Sequence, residues 1–478
     1  MKPKNVVIIG GGISGLTAAY QLVKRGREHG DRFRIRVLEA ESETGGQARA
    51  FDVNGFMVEH GSHVFFNYYR TILGMIAELR ADDDANPTSK MPGLSRIPGW
   101  TICDPYGRRV TLMQSPNLPL VLATLPSMLR IPWLTLWERL RLAWAAFKLM
   151  ETPFSEYKEL DKKTSFELGT DLGYSDIGAM TWNAASLGLT NLFVQEQSGA
   201  LFAGKHRLLI NQPDGLAYQL PAGDLSELFA RPMTRKLLKL GVKITTSALV
   251  QSIDRELPHQ RTRVAFTTPA GAETIEADHV ILASSPWVAK TLVPWVTAPW
   301  TELKPVSPVI TVVLRLSGKV KQSADDRELG CSREHWSFSV VTDLSQFWPE
   351  YAGDKTVIRC EVGHADRLAG GVDADKDALI AEIKRDLDRL FPEVVKMTVE
   401  KAELHRESKH LYTAWTKGQF SKKPEDRDVG KGVYLAGDWT SKGTIGMEAA
   451  ANSGFEAANH VLAAEKLPLA EYQDVPLI

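Results

Sequence analysis

Cysteine is scarce in this chain, with 3 among 478 residues, and Cys103, Cys331 and Cys360 show no C-x-x-C spacing. That excludes a disulfide framework, a thiolate zinc site and a dithiol redox motif, and points to buried thiols in a reducing compartment. No metal site is expected. No run of about 18 uncharged apolar residues occurs, which excludes a membrane-spanning helix. Charge of one sign is lacking too: 57 Lys and Arg against 58 Asp and Glu leave a net charge of -1. There is no basic field to hold nucleic acid, so no nucleic-acid partner is expected. With 44% hydrophobic and 24% charged residues the chain has the composition of a folded soluble protein. Its length predicts two or three domains at roughly 150 residues each.

What is present begins at once, with "VVIIGGGISGLTAAYQL" at residues 6 to 22. Val6 to Ile9 read as a fully buried strand, and Ile13, Leu16, Ala19, Tyr20 and Val23 recur at helical spacing. Between them stands G-x-G-x-x-G as Gly10, Gly12 and Gly15. Gly10 permits the tight turn, Gly12 leaves room for a pyrophosphate, and Gly15 lets the helix pack close to the strand. The free N–H groups and dipole of that helix then favour the anion. Because this apolar run is the first strand of a nucleotide fold, it is not a signal peptide, and a cytoplasmic location is expected. The next strand, "RIRVLEA", ends at Glu39, a ribose acceptor set farther from the glycines than the usual ~20 residues. Glu39 in place of arginine argues against a 2'-phosphate. "ESETGGQARAF" then adds Gly45, Gly46 and Arg49, a second close backbone approach with a cation, as the diphosphate of an extended FAD requires. The C-terminal stretch "GVYLAGDWTSKGTIGMEAAANSGFEAANHVL" supplies a strand, Gly437 and Asp438 at its end, and a helix whose N-terminus can face the flavin where negative charge gathers on reduction.

Together these motifs resemble the flavoprotein superfamily of amine oxidases, phytoene and zeta-carotene desaturases and hydroxysqualene dehydroxylase. The resemblance implies noncovalent FAD and a two-domain α/β protein of the GR2 type. One domain is Rossmann-like and binds FAD; the other is a discontinuous α+β substrate domain with a mixed sheet. The expected division is residues 1–85, 235–290 and 425–478 for FAD, and 86–234 and 291–424 for substrate with a helical lid. Cofactor positions carried over are Gly10, Gly12, Ile13, Ser14, Gly15, Glu39, Ala40, Gly45, Gly46, Gln47, Arg49, Gly61, Ser62, Val250 (through its backbone, at adenine), Ala283, Gly437, Asp438, Gly446 and Met447.

The segment "VEHGSHVFFNYY" resembles the plant-type carotene desaturases at Glu59, His63, Phe65, Phe66 and Tyr69. Glu59 and His63 could move protons beside the flavin, or they could simply hold the loop. Gly446 stands where amine oxidases carry an aromatic cage residue, and "SPVITVVLRL" lacks their lysine, although Lys304 lies just upstream. These features imply a desaturase or dehydrogenase that sends a hydride from carbon to flavin N5, with an apolar, isoprenoid-like small-molecule substrate. Amine or amino-acid oxidation, a redox-neutral isomerase and a non-enzymatic flavin scaffold remain alternatives, and the electron acceptor, oxygen or quinone, stays open. "DKDALIAEIKRDLDRLFPEV" is an amphipathic helix stopped at Pro392, while "ADDDANPTSK" and "SKKPEDRD" read as solvated loops. Residues 115–150 are apolar, interrupted by proline, and rich in tryptophan and arginine. They fit a lid or core, or a peripheral contact with the inner face of a membrane, with Trp133 and Trp137 in lipid and Arg130 and Arg139 at headgroups.

Overall fold

A strand apolar on both faces, such as Val6 to Ile9, is stable only between two covering layers. In the computed structural model, which describes residues 2–83, 91–256, 261–320, 327–407 and 416–471, this strand lies at the centre of a five-stranded parallel sheet. Lys4–Ile9 is flanked by Phe33–Leu38 and His279–Leu282, with Lys243–Thr245 and Val433–Leu435 at the edges. Val6 and Ile8 pack with the helices Ile13–Glu28 and Gly446–Ala464, whereas Val7 and Ile9 pack with Val264 and Phe266 of an antiparallel ribbon over residues 249–277. The second strand stops at Leu38, one residue short of Glu39.

The other sheet has seven strands in the order Val399–Glu407, Val309–Leu316, Thr356–Val362, Val340–Asp343, Glu328–Gly330, Trp100–Cys103, Arg109–Leu112. All its pairings are antiparallel except that of Glu328–Gly330 with Trp100–Cys103, so it is mixed. The helix Lys376–Leu390 packs against it through Leu379, Ile383, Leu387 and Leu390, all buried. The parallel pairing also joins two cysteines that are remote in sequence: Cys103 and Cys331 bring their sulfurs to 3.0 Å, and all three cysteines are free and buried.

Residues 115–150 divide where composition alone could not divide them. Thr135 and Glu138 form a capping box that starts the helix Leu136–Glu151. Trp133 turns inward and donates from Nε1 to Thr181 Oγ1 at 2.9 Å, and Arg139 donates to Leu129 O at 2.7 Å. Both are only partly exposed and already bonded within the chain. Leu136, Trp137, Leu140 and Trp144 form the exposed face instead, with Arg130 also exposed. The loop at 421–428 is only partly solvated, because Lys423 and Pro424 are buried and Lys423 Nζ donates to Ser441 O at 2.7 Å. In the other expected loop, residues 81–83 end the helix Arg70–Asp83, and 84–90 lie outside the described residues. No described helix is long and apolar enough to cross a membrane.

One buried carboxylate ties the terminal helix to the helix Arg70–Asp83. Glu448, 0% exposed, accepts from Thr71 N at 2.8 Å and Ile72 N at 2.9 Å, satisfying two donors that a helix start leaves unpaired. Glu448→Ala should cost about 1–3 kcal/mol for each stranded N–H. Thermal unfolding should show a fall of several degrees, and an unchanged midpoint would contradict this role.

Candidate active site

The glycine loops allow no side chains. A Cβ on Gly10 would lie 2.2 Å from Ala283 O, and one on Gly15 would lie 1.9 Å from Gly10 O. Gly45 and Gly46 have φ of +124° and +56°, and a Cβ on Gly46 would lie 3.2 Å from Gly12 Cα. Gly45 N donates to Gly11 O at 2.8 Å, so the two glycine turns form one backbone cradle. Above it the helix Ile13–Glu28 starts at Gly12 with no side-chain cap, leaving its first N–H groups for an anion. Arg49 is buried, donates from Nη1 to Glu43 O at 3.2 Å, and leaves its buried Nε without a partner.

Glu39 is buried at the cradle's edge. Its Oε2 accepts from Gly11 N at 2.6 Å and its Oε1 from Glu41 N at 2.9 Å, which aims the carboxylate and leaves lone pairs for a ribose. Ala40 is exposed, and Ala248 N donates to Glu39 O at 2.8 Å, bringing the half-buried Val250 strand alongside. From the other end of the chain, Ser453 Oγ accepts from Gly437 N at 2.9 Å and bonds Ser14 Oγ at 3.1 Å. Gly437 has φ +138°, and a Cβ there would strike Trp439 Nε1 at 2.5 Å. That indole donates to Ser284 O at 2.9 Å and pins the turn. Burial raises the Asp438 carboxyl against the pull of Lys423. The helix Gly446–Ala464 also starts without a side-chain cap, at Ile445, and a Cβ on Gly446 would meet the Tyr69 hydroxyl at 3.1 Å. Glycines with no space for a Cβ, two uncapped helix starts and an orphaned arginine nitrogen together fit a dinucleotide diphosphate.

The family model described as flavin containing amine oxidoreductase matches residues 13–462. The chain belongs to that family. It is 24% identical over 494 residues to the 15-cis-phytoene desaturase of Arabidopsis thaliana, covering 95% of this chain and 79% of that one. A 22% match to the carotenoid phi-ring synthase of Chlorobaculum tepidum covers 52% of this chain but only 38% of that protein. Cyclohexylamine oxidase from Brevibacterium oxydans superposes with a TM-score of 0.65 over 97% of this chain and 100% of that one, at 16% identity, and shares the fold. The protein is an FAD-dependent oxidoreductase.

Beyond the cradle, Gln47, His60, Gly61, Ser62, His63, Leu187 to Leu189, Asn191, Val309, Ser339 and Glu361 line a partly polar cavity. Lys304 is exposed and absent from its lining, so the amine-oxidase lysine is not rescued. His63 Nδ1 lies 3.0 Å from Gly61 O and 3.4 Å from Glu59 Oε2. A carbonyl can only accept, so Nδ1 carries the proton and Nε2 the lone pair. Glu59 does not line the cavity; it accepts from Arg359 Nη1 at 2.9 Å. Burial opposes its charge, but Arg359, with His63 and His60 adding, holds its carboxyl below the ordinary range.

Arg359 and Glu361 were missed from sequence. Their signal was two charges at alternate positions in the otherwise apolar strand "TVIRCEV", hence on one face. Arg359 reaches Glu59, Ser62 Oγ at 2.8 Å, Glu328 at 3.8 Å and Glu361 at 3.8 Å. One cation faces three carboxylates, and Glu59 takes the close bond. Burial pushes the Glu361 carboxyl up to about 8 against the pull of Arg359, with Glu328 adding to the rise, and its Oε1 has no hydrogen-bond partner. Nearby, His60 Nδ1 lies 3.0 Å from Glu407 and 3.1 Å from His405 Nε2, a grouping of metal-ligand types that no sequence spacing announces. Its members hydrogen-bond one another, and burial lowers His405 to about 4.

The Glu361 shift has a sign that stability measurements can read. A carboxyl with a folded pKa above its unfolded value of about 4.3 binds its proton more tightly when folded. Stability is therefore full at acid pH and falls as pH rises from that unfolded value toward about 8. Glu361→Gln, which imitates the protonated acid, should match wild type near pH 5 and gain a higher melting temperature than wild type by pH 8 to 9. A difference that does not change with pH would contradict the shift.

Proposed function

We propose that this oxidoreductase is a desaturase or dehydrogenase of an apolar, isoprenoid-like molecule. Residues 1–85, 235–290 and 425–478 would hold FAD, and 86–234 and 291–424 the substrate. The observation that carries this reading is an apolar chamber walled by Leu112, Met128, Phe202, Leu209, Ile210 and their neighbours. A smaller cavity lies between it and the polar one, sharing lining residues with both. Leu189 lines all three, Trp100 is shared between chamber and link, and Ser62 and Gly188 between link and polar cavity. Among the described residues no carboxylate lines the chamber, and Lys205 does, which disfavours an amine substrate by like charge.

Bound FAD supplies the hydride acceptor. Glu39 would hold the ribose, the glycine cradle and Arg49 the diphosphate, and Asp438 the ribityl chain. The chamber walls exclude water and position a C–H bond, while His63 Nε2 takes the departing proton. Glu59, fixed by Arg359, orients the His63 ring. Anaerobic mixing of the holoenzyme with 15-cis-phytoene should bleach the flavin, whereas putrescine or cyclohexylamine should not. Bleaching by the amines alone would support the oxidase reading instead, and product without net bleaching a redox-neutral isomerase.

The exposed Leu136, Trp137, Leu140 and Trp144 continue from the segment that supplies Thr124, Ser127 and Met128 to the chamber wall. We propose that this face meets the inner surface of a membrane, so that an apolar substrate passes into the chamber without exposing hydrocarbon to water at about 0.8 kcal/mol per CH₂. Wild-type protein should float with anionic vesicles at low salt. Trp137→Ala with Trp144→Ala should lose most of that binding with melting temperature and flavin content unchanged, because both side chains are more than half exposed. Protein that remains in the soluble fraction would contradict the proposal.

A further inference from the structure

Lys205 sits on the helix Gly199–Ile210 in the sequence "LFAGKHRLLI", 6% exposed, among chamber walls that are otherwise almost wholly apolar. An ammonium removed from water needs an anion or several acceptors, because an unpaired buried charge is among the costliest arrangements in a protein. Among the described residues Lys205 has neither: no hydrogen bond and no ion pair reaches it, and no Asp or Glu joins it in the chamber lining. Burial alone lowers it to about 7, with no carboxylate to oppose the fall.

His206 stands beside it. Its Nδ1 lies 2.8 Å from Phe202 O, so Nδ1 carries the proton, and its Nε2 is buried without a partner. Of the other polar side chains of the lining, two serines are already engaged, while Trp182 Nε1 is buried without a partner and its ring lies 4.5 Å from that of His206. Ser127 Oγ donates to Met113 O at 3.0 Å and Thr124 O at 2.9 Å, and Ser186 Oγ accepts from Gln197 Nε2 at 2.6 Å. The unpartnered polar groups of the lining thus include Lys205, His206 and Trp182, and none of these three lines the polar cavity.

We propose that Lys205 receives the carboxylate of a substrate that is otherwise a long apolar chain. The chain's hydrocarbon fills the chamber toward Leu189 and Trp100, and its carboxylate supplies the counter-charge that Lys205 lacks. Anchoring at Lys205 sets which carbon reaches the polar cavity. This rests on the chamber being the substrate site, and it adds the class of end group that the substrate carries.

The test uses the FAD-loaded protein and one apolar chain with three ends: dodecanoate, dodecanol and dodecylamine, measured by titration calorimetry. Dodecanoate should bind at least tenfold more tightly than dodecanol, and dodecylamine should bind most weakly. Lys205→Met should erase the carboxylate preference while keeping dodecanol binding, and Lys205→Arg should retain the preference if the Met variant fails to fold. Dodecanoate and dodecanol binding equally to wild type, or an undiminished preference in Lys205→Met, would overturn the carboxylate assignment and leave the apolar chamber standing. Failure of all three to bind would overturn the chamber itself as the substrate site.

Discussion

The closeness of the first and last helices governs the site. A Cβ on Gly454 would lie 2.3 Å from Ser14 O, so the helix Gly446–Ala464 rides directly on the backbone of Ile13–Glu28. At that crossing the Ser453 hydroxyl bridges Ser14 Oγ and Gly437 N. Two loops from opposite ends of the chain are thereby held at one end of the parallel sheet, where ligands of open α/β sheets bind. Any side chain at Gly454 would push the two helices apart and part the turn at Gly437 from Ser14.

From that cradle the polarity changes along one path. The nearest wall is built on Arg359, a buried cation among Glu59, Glu328 and Glu361, with hydroxyls of Ser62 and Thr342 completing it. Burial raises the Glu361 carboxyl against the pull of Arg359, and the neighbouring Glu328 adds to the rise. Past Leu189 the lining is mostly hydrocarbon, with Lys205 as its one cation among the described residues. A polar wall at one end and an apolar chamber at the other suit the redox chemistry at carbon proposed above.

Local sequence carried the nucleotide half of this picture. Gly10, Gly12 and Gly15 between a strand and a helix have a meaning that depends on neighbours in the chain, and so do Gly437 and Asp438 at the end of "VYLAG". Pairings between distant segments were not legible. Cys103 and Cys331 meet because Trp100–Cys103 pairs in parallel with Glu328–Gly330, a register that nothing near either cysteine encodes. Trp133 and Trp137 look alike in composition, and only the chain turn before the capping box at Thr135 sends one inward to Thr181 and the other to solvent. Glu448 was visible beside Met447, but its task lies at the start of a helix far away in sequence. Lys205 was hidden because a lysine in a helix is ordinarily solvated, and burial decides its chemistry.

The central claim is that substrate reaches the flavin through the passage at Leu189. The most direct test is Leu189→Trp, with the rate of anaerobic flavin bleaching by polyene compared with wild type. The account expects that rate to fall at least a hundredfold, with FAD content and reduction by dithionite unchanged. Bleaching at the wild-type rate in a folded, fully flavinated Leu189→Trp protein would contradict it.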